Sequence, residues 1–194
     1  MRPLVIATKN KGKVAEFKKL LGLAFDCQLL DGSIPDVVED GSSYRENAVK
    51  KAAYYFKATG LPVLADDSGL EVDLLGGKPG IYSARFGGAE LSWNDRWNFL
   101  IRELAKFPTE RWTARFRCVL CYFDGEEPKY FEGLCEGLIL PTAKGSKGFG
   151  YDPIFYSSEL RLPFGEASAE DKDRVSHRAL ATAKFLAWAS AKLS

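Results

Sequence analysis

Short apolar runs alternate with stretches of helical spacing along the first half of the chain. Residues 3–7 form a continuous apolar run of strand length, followed by the polar turn Thr8-Lys-Asn-Lys-Gly12. Val14, Phe17, Leu20 and Leu21 then recur at helical spacing, and Gly22 reads as the stop. A second strand is predicted near residues 27–30, ahead of the acidic loop 37–41. Ser43 and Glu46 have the spacing of a capping box, which opens a long helix through Tyr44, Ala48, Ala52, Tyr55 and Phe56 and closes at Gly60. Residues 62–65 read as a buried strand terminating in Asp66-Asp67-Ser68-Gly69. A glycine-rich loop at 76–80 precedes a helix over about 92–104. From 113 to 140 the pattern changes to long β-rich runs with Asp124-Gly125 between them, a hairpin signal. Residues 147–153 open another short strand, and Ser176 caps a C-terminal helix ending near Lys192. Strands alternating with helices, then a hairpin-rich insert, predict an α/β protein with a mixed sheet in two lobes. Without a repeat or a linker-like tract, the expectation is a single domain over 1–194.

Composition narrows the function classes. An apolar share of 46% with 27% charged residues is that of an ordinary soluble globular protein. A net charge of +1 argues against a polyanion binder, so anion binding must come from local clusters of lysine and arginine. No segment has the length of a membrane helix and no signal-peptide pattern opens the chain, so cytoplasmic residence is expected. Cys118 and Cys121 have C-x-x-C spacing, but on a strand residues three apart face opposite ways, which predicts buried, inert thiols. The single histidine, His177, excludes any two-histidine metal site; a metal here must be held by carboxylates, which favours magnesium or manganese.

Four segments carry possible chemistry. Asp66-Asp67-Ser68-Gly69 places adjacent carboxylates at a strand end, where a cation would offset their charge; a solvated turn explains them equally well. The turn Thr8, Lys9, Asn10, Lys11, Gly12 and Lys13 offers a helix N-terminus and three ammonium groups to phosphates, or is a solvated basic turn. It is not a Walker A loop. In Lys147-Gly-Phe-Gly-Tyr-Asp-Pro153 two glycines allow close backbone approach, Phe149 and Tyr151 offer faces for a base to stack on, and Asp152 could read a base edge; the alternative is a buried aromatic bend. Ser176, His177 and Arg178, with Lys172 upstream, place donors at the start of the last helix, where ordinary capping is the rival account.

Taken in order, these segments resemble the inosine triphosphate pyrophosphatase family. The resemblance rests on Thr8 to Lys13, Glu39-Asp-Gly41, Glu46-Asn-Ala48, Ala65-Asp-Asp-Ser-Gly69, Gly76 to Arg85, Gly148 to Pro153 and Ser176-His-Arg178, and spans essentially the whole chain. It implies a long curved mixed β-sheet with flanking helices forming two lobes around a central cleft, and a homodimer. It implies magnesium-dependent cleavage of ITP, dITP and XTP between the α- and β-phosphates, by in-line attack of water. Phosphate contacts would come from Thr8, Asn10, Lys13 and Lys51, with Lys9, Lys11 and Gly12 completing the loop. Asp67 would be the catalytic base and a metal ligand, Glu39 the second ligand, and Ser68 a substrate contact. Phe149, Gly150, Tyr151, Asp152, Lys172, His177 and Arg178 would recognise the base through its 6-carbonyl, and whether Asp66 or Glu71 joins the metal is left open. Two departures from the pattern are Lys9, where relatives carry a small residue, and Lys147, where some carry glycine. Lys9 either adds to phosphate binding or points to solvent.

Three rivals stand beside this reading. A Maf-like pyrophosphatase would prefer pyrimidine or modified nucleotides. A nucleotide sensor would bind without turnover, which the intact Asp67 and Glu39 weigh against. A single-strand nucleic-acid binder stacking bases on Phe149 and Tyr151 is disfavoured by the near-zero charge.

Overall fold

The computed structural model describes residues 1–192, so the last two positions of the expected 1–194 domain lie outside it. Its elements are β1 (Arg2–Ile6), α1 (Lys11–Leu21), β2 (Phe25–Leu29), α2 (Tyr44–Thr59), β3 (Val63–Val72), α3 (Trp93–Leu104), β4 (Thr113–Phe123), β5 (Lys129–Ile139), β6 (Phe155–Ser157), β7 (Leu162–Pro163), α4 (Ala169–Val175) and α5 (His177–Lys192). The strands form one seven-stranded sheet in the order β2-β1-β3-β4-β5-β6-β7. β1 pairs in parallel with β2 and β3, whereas β6 is antiparallel to both β5 and β7. The α/β class and mixed sheet with flanking helices are thus as expected.

The chain forms two compact units. The first comprises residues 1–67, 118–133 and the chain from 178; the second comprises 68–117 and 134–177. In the first, Leu4, Ile6, Phe17, Leu21, Leu64, Leu120 and Phe185 share one buried cluster. The second has its own, with Leu70, Val72, Leu100, Leu104, Phe116, Phe155 and Phe164. β3 passes from one unit to the other at the Asp67–Ser68 bond.

Local signals explain most element starts. The side chain of Asn10 accepts from the Lys13 amide and caps α1. Ser43 caps α2 by accepting from the Glu46 amide, but Glu46 returns its carboxylate to the Ser42 amide and hydroxyl rather than to Ser43, so the box is shifted by one residue. Ser92 caps α3 in the same way. Cys118 and Cys121 both lie buried in β4; burial pushes each thiol up to about 12, which keeps them protonated and inert.

One expectation needs correction. β3 does not end at Asp66: it continues through Asp67, Ser68 and Gly69 to Val72, so the acidic pair is a buried mid-strand feature. Leu70 and Val72 are fully buried, and their burial keeps an otherwise weak β-former sequence in the sheet. Residues 147–153 form a turn that runs through one 3-10 turn at Asp152–Ile154 into the short strand β6, as expected. The C-terminal helix runs from 177 to 192, directly after Ser176 as expected, and a short helix not read from the sequence, α4, precedes it. Ser168 caps the short α4, and Ser176 ends it, donating its amide to the Lys172 carbonyl just before α5 begins.

Candidate active site

The first unit assembles the charged groups. Thr8 Oγ1 accepts from the Asn10 amide at 3.2 Å, and Asn10 Oδ1 accepts from the Lys13 amide at 3.1 Å. These bonds hold the turn before α1 with the helix N-terminus at Lys11 and Gly12, and no acidic residue in the first turn offsets its positive end. Lys13 Nζ lies 2.9 Å from Asp66. Lys9 does neither of the things expected of it: its ammonium donates to the Ile34 carbonyl at 2.7 Å and pairs with Asp36 at 3.0 Å, tying the turn to the loop that follows β2.

On α2, Tyr44, Asn47, Ala48, Lys51, Ala52 and Tyr55 form the buried stripe, and Asn47 and Lys51 are its polar members, one turn apart. Lys51 Nζ stands 3.1 Å from Glu39 and 3.9 Å from Asp67. Asn47 Nδ2 donates to Asp67 Oδ2 at 3.0 Å. Burial opposes the charge on Lys51, but Asp66, Asp67 and Glu39 outweigh it and raise its pKa.

The two adjacent aspartates have opposite environments, because neighbours on a strand face opposite ways. Asp66 is 1% exposed, and burial alone would raise its pKa. Lys13, Arg178 and Lys51 hold it well below the usual carboxylate range instead. Asp67 is 4% exposed, and burial pushes it up to about 6. Lys51 and the Asn47 bond pull the other way, while the Glu39 charge reinforces the rise. Lys51 divides its charge among Asp66, Asp67 and Glu39 and stands 3.9 Å from Asp67, so burial prevails at Asp67.

Glu39 and Asp67 therefore converge on one cationic group. Among the described residues no cluster of three or more histidine, cysteine or carboxylate side chains could hold a metal. Two carboxylates are an all-oxygen donor pair of the kind that suits a hard divalent cation. The remaining candidates are engaged elsewhere: Asp66 with Lys13 and Arg178, and Glu71 with Arg117 at 2.9 Å.

Arg178 belongs to this unit and is 2% exposed. Its guanidinium bridges Glu16 at 2.5 Å and Asp66 at 3.2 Å, and stands over the Phe17 ring. It acts on Asp66 where the sequence suggested a base or phosphate.

The second unit assembles the aromatic loop. Gly148 has φ +75°, and a Cβ there would meet Asp152 Oδ2 at 2.0 Å, so only glycine fits. Asp152, 3% exposed, accepts from the Phe149 amide at 2.8 Å and from Lys172 Nζ at 2.7 Å. Lys172 also stands over the Phe149 and Phe164 rings, at 5.4 and 5.3 Å from their centroids. Phe149 is half-buried. Tyr151 is not available for stacking: it is 2% exposed, packs edge-on against Trp93 and donates its hydroxyl to the Ser83 carbonyl. Trp97 Nε1 donates to the Gly150 carbonyl at 2.9 Å, bracing the loop from α3. His177 is buried, its ring stacked on Phe116 at 4.8 Å. Ser68 is half-buried on β3, and Lys147 is spent on the Glu166 carbonyl.

Glu39, Lys51 and Asp67 are thus together, as are Phe149, Asp152 and Lys172, whereas Lys9, Tyr151 and Arg178 turn away from their expected tasks. Sequence reasoning missed Glu16, Asn47 and Trp97. Only Asn47 had a signal, as an amide on the apolar stripe of a helix.

Carboxylates around a buried ammonium, a basic helix N-terminus and an aromatic-lysine loop have the makings of nucleotide chemistry. The chain matches the Ham1 family over residues 4–188 and belongs to it. It is 46% identical over 193 residues to a dITP/XTP pyrophosphatase of Bacillus licheniformis, covering 96% of this chain and 97% of the relative. A second dITP/XTP pyrophosphatase, from Geobacter sulfurreducens, is 46% identical over 187 residues, covering 94% of each. The fold superposes on a HAM1 protein from Coxiella burnetii with a TM-score of 0.88 at 33% identity, covering 98% of this chain and 100% of that one.

Proposed function

We propose that this protein is a nucleoside triphosphate pyrophosphatase that hydrolyses the non-standard purine nucleotides ITP, dITP and XTP to monophosphate and pyrophosphate. The observation that carries the proposal is the Glu39–Lys51–Asp67 cluster, with Asp67 buried and raised to about 6. A carboxylate at that value is ionised at neutral pH yet basic enough to take a proton. The relatives' names, dITP/XTP pyrophosphatase, supply the substrate class.

In this reading α1's N-terminus and Lys13 bind phosphate oxygens, and Asp66, fixed by Arg178, keeps Lys13 in place. Asp67 Oδ1 accepts the proton of the water that attacks the α-phosphorus, since Oδ2 already accepts from Asn47. The bond from the α-phosphorus to the bridging oxygen breaks and pyrophosphate departs. Lys51 stabilises the charge that develops. Magnesium, held by Glu39 and Asp67, supplies charge neutralisation and a lowered water pKa when bound. Lys172, His177 and the amides of the Phe149 loop present donors to a 6-carbonyl; the 6-amine of ATP would leave donor facing donor, which penalises it.

The proposal extends to a single functional domain, a homodimer and cytoplasmic residence. Among the described residues no helix is long and apolar enough to cross a membrane. The test is pyrophosphate release from ITP, dITP, XTP, GTP, ATP and dTTP, with magnesium or with chelator, for the wild type and Asp67→Asn. Metal-dependent cleavage of ITP, dITP and XTP, lost in the variant, is the expected result. Preference for dTTP would overturn the purine assignment, and binding without turnover would overturn the enzyme.

A further inference from the structure

Between β2 and α2 the chain forms no helix or strand, yet this loop carries Glu39. Two side chains tie it directly to Asp67, on β3. One is ionic: Lys51 spans the two carboxylates. The other is neutral and lies deeper. Asn47 is 1% exposed, and both ends of its amide are used. Nδ2 donates to Asp67 Oδ2 at 3.0 Å, and Oδ1 accepts from the Gly41 amide at 2.8 Å. The partners fix the amide's orientation, because a backbone N–H can only donate and a carboxylate oxygen is the acceptor opposite. Gly41 is itself fitted to this contact: a Cβ there would stand 2.7 Å from Asn47 Oδ1 and 2.8 Å from Glu46 Cβ.

We infer that Asn47 is a positioning residue, whose amide sets the separation and orientation of Glu39 and Asp67 by gripping the loop two residues after one carboxylate and holding the other directly. The inference rests on the proposed reading of those two side chains as the metal-binding pair. The two ties differ in what happens when a cation joins the carboxylates. Lys51's positive charge would then compete with the cation for the same oxygens. The Asn47 amide carries no charge, so it has no such conflict and keeps the frame in place. An ionic tie alone would loosen at the moment the geometry is needed.

Two substitutions in the full-length chain separate the ends of the amide. Asn47→Leu keeps the volume and removes both bonds. Asn47→Asp keeps the acceptor for Gly41 and replaces the donor facing Asp67 with an oxygen. The readouts are hydrogen exchange at the Gly41 amide, which is independent of turnover, and kcat and KM for ITP with magnesium. In Asn47→Leu, Gly41 exchange accelerates and kcat falls by about 10²-fold, the loss expected when a reacting group is displaced by about 1 Å. In Asn47→Asp, Gly41 stays protected while kcat still falls and KM holds. A merely space-filling Asn47 would leave Asn47→Leu with wild-type kcat, and that result overturns the inference, as does unchanged Gly41 exchange in that variant. Should Asn47→Leu fail to fold, Asn47→Asp decides: wild-type kcat there overturns the role assigned to the donor. Wild-type chain that releases no pyrophosphate from ITP overturns the activity instead, and Gly41 exchange then tests the bridge alone.

Discussion

Replacing Asp67 by asparagine should stabilise the metal-free protein at alkaline pH while abolishing turnover. An ordinary aspartate titrates at 3.8, and in the folded chain Asp67 is raised to about 6. Below 3.8 both folded and unfolded chains hold the proton and the side chain imposes no penalty. As pH rises, the unfolded chain ionises first, so stability is lost across the window and the full cost is reached above about 6. At 1.36 kcal/mol per pH unit, that gap corresponds to about 3 kcal/mol. Asparagine cannot ionise and escapes the cost, although Lys51 then loses one of its carboxylates, which leaves a net gain of about 1–3 kcal/mol. Urea denaturation in chelator at pH 4, 6 and 8 measures it. The variant should exceed the wild type at pH 8, and the difference should shrink toward pH 4. Magnesium should then stabilise only the wild type, by mass action on the folded state. A variant less stable than wild type at pH 8 would refute the reasoning, since Lys51 and Asn47 would then outweigh burial at Asp67.

Arg178→Met should destabilise by about 3–5 kcal/mol in urea, because it strands Asp66 and Glu16 beside an apolar side chain, and adding Asp66→Asn should restore part of the loss. Gly148→Ala forces a left-handed alanine against Asp152; the strain and the disturbed Lys172 pair together should cost about 2–4 kcal/mol by thermal denaturation, with KM for ITP raised. Lys9→Gly removes a half-exposed tie to Asp36 and Ile34, so stability should change by less than about 1 kcal/mol and KM for ITP should not rise; a large KM increase would return Lys9 to the phosphates.

Local chemistry was the part of the fold most legible in the chain. Caps at Asn10, Ser43 and Ser92 have side-chain signatures that act within a few residues, and α1, α2 and α3 begin where such residues stand. β3 was misjudged at its end because Asp, Ser and Gly are poor strand formers, and what holds them in the sheet is the burial of Leu70 and Val72. Arg178 was misassigned for a different reason. Its partner Glu16 is 162 residues away, a distance at which one sequence carries no pairing signal. Tyr151 and Phe149 differ only in which way a glycine-flanked turn faces them, and composition does not encode that direction. Asn47 could have been found: an amide on the buried stripe of α2 needs partners for both its ends.

The alternation of Asp66 and Asp67 along β3 also bears on which length changes the gene can tolerate. The register Val5 to Val63 and Ile6 to Leu64 fixes which aspartate meets Lys13 and Arg178 and which meets Asn47 and Lys51. Inserting or deleting one codon between 63 and 66 would turn both side chains over together. An insertion would carry Asp66 into the place facing Asn47 and leave no carboxylate opposite Lys13 and Arg178, whereas a deletion would carry Asp67 opposite those cations and put Ser68 in the place facing Asn47. Such a change alters no side chain's chemistry, yet each direction removes one of the two roles, the brace or the base. Length variation within this family should therefore collect in the β4–β5 turn, while the segment from Val63 to Asp67 keeps a constant length.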